Sequence, residues 1–259
     1  MAIYEDQIIT LKSRAYRDHD QLLTVFGLNN GKFGAIAKGT RRPKSKLLGQ
    51  LAPLSQSVAT FYHGRSSLDT VTEAELVQGF PHIAEDLERL SWAMVLADVV
   101  DQLWPEREPS EDIFTVLLSA LDGLNGGRSP ATVGLAAGFH CLSIAGFQPD
   151  WRQCSQCHRP FVSGPIVIQV QHGTLYCPDC RRAGDGEDSI SLGSLRSLQY
   201  WLKEHPRKFG QAEVKGVMKD ELQTLFFRFL LHETNRSLKS YDFLANIDRL
   251  KHGPEGGSA

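Results

Sequence analysis

The 259-residue chain carries no excess of basic charge: 28 Lys and Arg stand against 30 Asp and Glu, a net charge of −2. A nucleic-acid footprint spread over the whole surface is therefore excluded, and any such role must rest on where the charge sits. Long apolar runs are missing as well. The longest candidate, Val133 to Phe147, is broken by Ser and Gly and falls short of the roughly 18 residues a membrane span needs. The opening MAIYEDQIITLKSR has no basic stretch followed by an apolar one, so no secretory signal is read. These absences predict a soluble, cytoplasmic protein. Cysteines number five, and an odd count without an export signal argues against a disulfide framework.

Catalytic signatures are also lacking. No GxxxxGK phosphate loop, GxSxG elbow, HExxH helix or GxGxxG fingerprint occurs. Asp98 and Asp101 lie at i, i+3 on a predicted helix, among neighbours that read as an ordinary exposed face. The expectation is a binding protein without enzymatic activity. Internal repeats are absent.

What is present begins with strands. Gln7–Leu11, Leu22–Phe26, Phe33–Ala37, Ser57–Tyr62 and Asp69–Glu73 read as short strands separated by turn signals, and Asn30-Gly31 suits a tight hairpin turn. Five short strands predict a small antiparallel barrel, an OB-fold first and an SH3-like barrel as the competing pattern. After Phe80-Pro81 the period becomes helical. Leu87, Leu90, Met94, Ala97, Val100 and Trp104 share one predicted face, and Ile113, Leu117, Leu121 and Leu124 another. Ser129-Pro130 opens a third helix, apolar nearly all round, whose Gly134 and Gly138 permit close packing. Helical patterning resumes over Leu192–Leu202 and Glu221–Leu238. The fold class is α+β and multidomain. The expected units are an OB-fold domain (1–80), a helical domain in two parts (81–150 and 189–250), an inserted ribbon (151–188) and a disordered tail (251–259).

The most specific motif is Cys154-Ser155-Gln156-Cys157, followed after 19 residues by Cys177-Pro178-Asp179-Cys180. Each two-residue gap lets a tight turn aim two thiolates at one metal, and two such knuckles complete a tetrahedron. Ile166–Val170 reads as a strand and His172-Gly173 as its turn, the pattern of a zinc ribbon. One Zn2+ per chain is expected, and four protein ligands make it structural. Cys141 reads as a small core residue, and His158 and His172 as surface residues.

The charge, nearly balanced overall, is unevenly placed. Between Asp20 and Asp69 there is no acidic residue, while Lys32, Lys38, Arg41, Arg42, Lys44, Lys46 and Arg65 fall in the same interval. The run from Lys38 to Lys46 links the third and fourth strands. On a barrel it would form a positive groove that tracks phosphates. Phe33, Phe61 and Tyr62 are candidate stacking platforms; alternation sends one of Phe61 and Tyr62 outward, and Tyr62 is the choice. Arg181-Arg182, after the second knuckle, extend the candidate DNA path. A solvated basic loop on a zinc-stabilised protein–protein adaptor is the competing reading.

The order of parts resembles a known family. Lys38-Gly39-Thr40-Arg41-Arg42-Pro43-Lys44-Ser45 lies in the strand-rich module. Leu142 to Pro149 leads into the first knuckle, and Ser237-Leu238-Lys239-Ser240 comes near the end. Over roughly residues 1–250 the chain resembles RecO, the bacterial mediator of the RecF–RecO–RecR recombination pathway. That resemblance implies an OB-fold, a helical domain and a zinc-ribbon insertion. It also implies binding of single- and double-stranded DNA, strand annealing, and a nucleoid-associated place in DNA repair and recombination. RecR and the C-terminal tail of single-stranded DNA-binding protein are the implied partners, and loading of RecA on coated single strands the implied outcome.

Overall fold

In the first strand, Ile8 and Ile9 are both buried, so this segment is covered on both faces. The computed structural model describes residues 2–42, 45, 47–64, 67–181 and 188–252. Strands β1 (Ala2–Tyr16), β2 (Asp20–Gly27), β3 (Gly31–Ala37), β4 (Gln56–His63) and β5 (Asp69–Gln78) close into a barrel in the order β1-β2-β3-β5-β4. Every pairing is antiparallel except β3 with β5, where Ala35 lies opposite Asp69. A short helix, α1 (Leu47–Gln50), joins β3 to β4. This is the OB-fold arrangement, and its strands run longer than the apolar patterning alone marks out.

Alternation explains the barrel core. Ile8, Leu23, Val25, Phe33, Ala35, Phe61 and Val71 point inward, with Phe33 and Phe61 edge-to-face at 5.0 Å. Ile9, Leu11 and Phe26 point the other way, into the core of the helical body. The β2–β3 turn is held by the buried Asp6 carboxylate, which accepts from the Asn29 and Asn30 backbone N–H groups at 3.1 and 3.0 Å. Gly31 there has φ of +61°, and a Cβ would sit 2.1 Å from the Glu108 carbonyl oxygen. Only glycine meets both demands.

The body contains α2 (Pro81–Ala84), α3 (Leu87–Leu103), α4 (Glu111–Asn125), α5 (Pro130–Ile144), α6 (Leu192–Lys203), α7 (Val217–Thr234) and α8 (Lys239–His252). Side-chain caps start the principal helices: Asp86 accepts from Glu88 and Arg89 N–H, Ser110 from Ile113, and Ser129 from Thr132. Gly134 and Gly138 let α5 approach closely, since a Cβ would meet the Trp92 and Phe226 rings at 2.1 and 2.5 Å.

Two helix expectations need correction. Leu87 and Met94 are exposed, while Trp92, Val95, Leu96 and Val99 are buried with Val100. Helix α3 is enclosed by α4, α5, α8 and the barrel, so no single stripe describes it. Helix α8 runs through His252, two residues into the segment expected to lack structure. Residues 253–259 lie outside the described residues.

Between α5 and α6 the chain makes a three-stranded sheet ordered β7-β6-β8, from β6 (Ile166–Gln169), β7 (Thr174–Tyr176) and β8 (Asp188–Ile190). Val170 belongs to a 3-10 turn, not to the expected strand, and Gly173 closes that turn at φ +59°. Phe161, Ile166, Ile168 and Leu175 join the body's core, so the ribbon is anchored on the helices.

Barrel and body are clamped by charge. Lys12 reaches Asp98 at 2.7 Å and Asp101 at 2.6 Å; Lys32 bonds the Asp101 carbonyl. These two acids are therefore not the ordinary exposed face expected of them. Arg107 lies 2.6 Å from Asp69, donates to Tyr4 Oη at 3.0 Å and stacks over the Phe33 ring at 4.2 Å. Burial alone would lift the Asp69 pKa, yet hydrogen bonds from Tyr4, Arg107 and His63 hold it below the ordinary value.

Candidate nucleic-acid interface and cysteine site

The turn that follows β3 is fastened to the β1–β2 hairpin. Gly39 N–H donates to Asp20 Oδ1 at 2.8 Å, Arg41 N–H to the His19 carbonyl at 3.0 Å, and buried Thr40 Oγ1 to the Ala37 carbonyl at 3.2 Å. The backbone is pinned while Lys38, Arg41 and Arg42 stay exposed. Among the described residues none of the three has an acidic partner. Lys44, Lys46 and Arg182 lie outside the described residues.

Three residues read from the sequence as part of this surface belong elsewhere. Lys32 is buried, with its ammonium group at the Asp101 joint, so it is no part of the exposed basic surface. Phe33 and Phe61 fill the barrel interior and offer no platform; Tyr62, next in the chain, is 36% exposed. Arg181 is exposed on the ribbon just past Cys180.

The barrel adds two cations that sequence reasoning missed. Arg14 and Arg17 are exposed at the end of β1, beside the pinned turn, with Arg17 5.2 Å from the Tyr16 ring centroid. Both precede Asp18 and Asp20, so they fall outside the acid-free interval. The signal was register: Arg14 pairs with Leu22, and Leu22 with Ile36.

The cysteine site is built from two turns. After Trp151, which is buried in the body, Cys154 N–H donates to the Arg159 carbonyl and His158 N–H to the Cys154 carbonyl. On the other side, the Cys180 and Arg181 N–H groups both donate to the Cys177 carbonyl, at 3.0 and 3.1 Å. The turns are tied together by Ser155 N–H to the Leu175 carbonyl at 2.8 Å. All four Sγ atoms lie within 4.8 Å of one another, and Cys157 and Cys177 are 3.9 Å apart. A tetrahedron with metal–sulfur bonds near 2.3 Å has sulfur–sulfur edges of about 3.8 Å, so the donor set fits one metal ion. His158 and His172 are exposed and stand outside the cluster; Cys141 is buried in α5.

Electrostatics favour a cation there. Backbone N–H and guanidinium hydrogen bonds from Arg159 draw the Cys157 thiol down to about 6. Burial, joined by its three thiol neighbours, pushes Cys180 up to about 12. Four close thiols resist ionising together, and a divalent cation removes that resistance.

No helix among the described residues is long and apolar enough to cross a membrane. Comparison with known proteins gives a consistent answer over both halves of the chain. The family model for the recombination protein O N terminal matches residues 1–80, and that for the recombination protein O C terminal matches residues 84–242. The DNA repair protein RecO of Desulforamulus reducens is 31% identical over 252 residues, covering 96% of each chain. The RecO of Symbiobacterium thermophilum is 31% identical over 251 residues, covering 95% of this chain and 98% of the relative. That of Pelotomaculum thermopropionicum is 30% identical over 261 residues, covering 100% and 99%. With both family models matched and full-length relatives at about 30% identity, the chain belongs to the RecO family of DNA repair proteins.

Proposed function

We propose that this protein is a non-catalytic mediator of recombinational repair that binds single- and double-stranded DNA through its barrel. The observation that carries this is the pinned turn with Lys38, Arg41 and Arg42 exposed and unneutralised. A rigid backbone with free cations neutralises phosphates and releases counterions without reading bases. Lys44 and Lys46 extend the same basic run in sequence, Tyr62 supplies an aromatic face, and Arg181 and Arg182 continue the path on the ribbon. Annealing follows physically, because two single strands approach only when their phosphate repulsion is screened.

Family membership supports the further roles. These are partnership with RecR, contact with the C-terminal tail of single-stranded DNA-binding protein, and help in loading RecA on coated strands in the cytoplasm. The OB-fold (1–80), the helical body (81–150 and 189–250) and the ribbon (151–188) are proposed as its working units. The ion at Cys154, Cys157, Cys177 and Cys180 is proposed to be Zn2+, since four thiolates on two Cys-x-x-Cys turns suit it. Four protein ligands leave no position for substrate, so its part is to hold the ribbon.

Annealing of complementary strands, naked and coated, tests the reading with wild type and the Arg41→Ala/Arg42→Ala variant. Loss of annealing in the variant supports it. Unchanged annealing and unchanged affinity overturn the assignment and favour an adaptor without direct DNA contact.

A further inference from the structure

Between the barrel and the helical body lies a cleft of about 860 Å³. Its barrel wall includes Arg14, Leu22 and Thr24; its body wall includes Met94 and Gln102 on α3 and Lys239 at the start of α8. We propose that this cleft takes a segment of single-stranded DNA that runs on from the barrel's basic turn. The proposal deepens the DNA-binding reading above and rests on it.

Register gives the path. Tyr62 pairs with Thr70, Thr70 with Ile36, Ile36 with Leu22, and Leu22 with Arg14. Their neighbours Phe61, Val71, Ala35 and Leu23 are the ones buried inside. The five therefore form one outward row that passes round the closed barrel, and its Ile36–Leu22–Arg14 part leads from the turn that begins at Lys38 toward the cleft. Adjacent strands are about 4.8 Å apart, so Arg14 lies about 10 Å from Ile36 across the sheet. This row crosses strands 2 and 3, the face on which OB-folds take oligonucleotides.

Charge and polarity inside the cleft fit that occupant. Arg14 and Lys239 are exposed and have no acidic partner among the described residues. Asp98 also lines the cleft, but its oxygens are engaged by Lys12 at 2.7 Å and by Ser240 Oγ at 2.6 Å. The half-exposed Met94 and Leu22 offer apolar faces against which an unstacked base can pack. A duplex keeps its bases stacked and paired and cannot supply such a segment.

The test compares Arg14→Ala/Lys239→Ala with Arg41→Ala/Arg42→Ala in salt titrations on an oligothymidine strand and on a duplex. Both sites are exposed, and equal thermal midpoints confirm intact folding. The proposal expects the cleft variant to flatten the single-strand log–log slope by about 1.4, some 0.7 per lost contact, and to leave duplex binding unchanged. A photoreactive oligothymidine should crosslink to peptides containing Leu22 or Met94. If the cleft variant binds single strands as wild type does while Arg41→Ala/Arg42→Ala is impaired, the cleft proposal falls and the basic turn stands. If only the cleft variant is impaired, the cleft stands and the turn assignment falls. If neither changes, both fall. Retained single-strand binding with loss of an acidic peptide would make the occupant a protein segment and overturn the proposal.

Discussion

The pinned basic turn and the cysteine ribbon are both excursions from a larger core, yet they place their distinctive side chains in opposite ways. In the turn, backbone hydrogen bonds to His19 and Asp20 fix the chain while Lys38, Arg41 and Arg42 face solvent. In the ribbon, the four thiols converge within 4.8 Å. Cations that point outward without acidic partners among the described residues are available to an external ligand. Groups that converge on one another form a donor set that can hold one metal ion.

The sharpest way to break this contrast is to remove the metal. Chelation, or Cys154→Ser, should forfeit binding free energy on the order of 10 kcal/mol, as in isolated zinc modules. Metal content should fall from one per chain toward zero, and β6–β8 should lose hydrogen-exchange protection. The barrel strands should keep theirs. Simultaneous loss of protection in both would show that the two regions do not hold separately.

The next effect lies at the joint. Asp69→Asn leaves Arg107 without its carboxylate partner and should cost about 3 kcal/mol in denaturant unfolding. The pH dependence has a definite sign. Because the folded pKa of Asp69 is depressed, its contribution is present above the unfolded carboxylate pKa and is lost as pH falls through the folded value. Stability of the wild type should therefore drop in acid more steeply than that of Asp69→Asn.

Smaller in stability but larger in function is Arg41→Ala/Arg42→Ala. It should leave unfolding free energy within about 0.5 kcal/mol, as exposed substitutions do. It should also flatten the single-strand salt slope by about 1.4. The mildest change is Tyr62→Ala, expected to weaken single-strand binding by about 1 kcal/mol through a lost stacking face, with little effect on duplex binding. Equal losses on both ligands would assign Tyr62 to the barrel's integrity.

Local patterns were legible and distant pairings were not. The two Cys-x-x-Cys turns announce themselves because each turn needs only four residues. The inward and outward positions of Phe61 and Tyr62 follow from the two-residue period of a strand. Lys32 falls in the acid-free interval of the sequence, yet it is drawn into the joint by Asp101, 69 residues away in the chain. Arg14 and Arg17 escaped notice because Asp18 and Asp20 follow them in the chain, although the strand register sets Arg14 beside the turn. Helix α8 was not distinguished because few apolar residues mark it; its Leu244 and Ile247 are buried.

Sequence by itself determined the strand-rich, helical and cysteine segments, their order, and the absence of acidic residues between Asp20 and Asp69. Spacing, period and composition are properties of neighbouring residues, so no contact map is needed to read them. Tertiary structure alone decided which cations remain free, that Asp98, Asp101 and Arg107 lock the barrel to the body, and that a cleft opens between them. Those outcomes depend on charges and surfaces far apart in the chain, and only folding determines whether they meet.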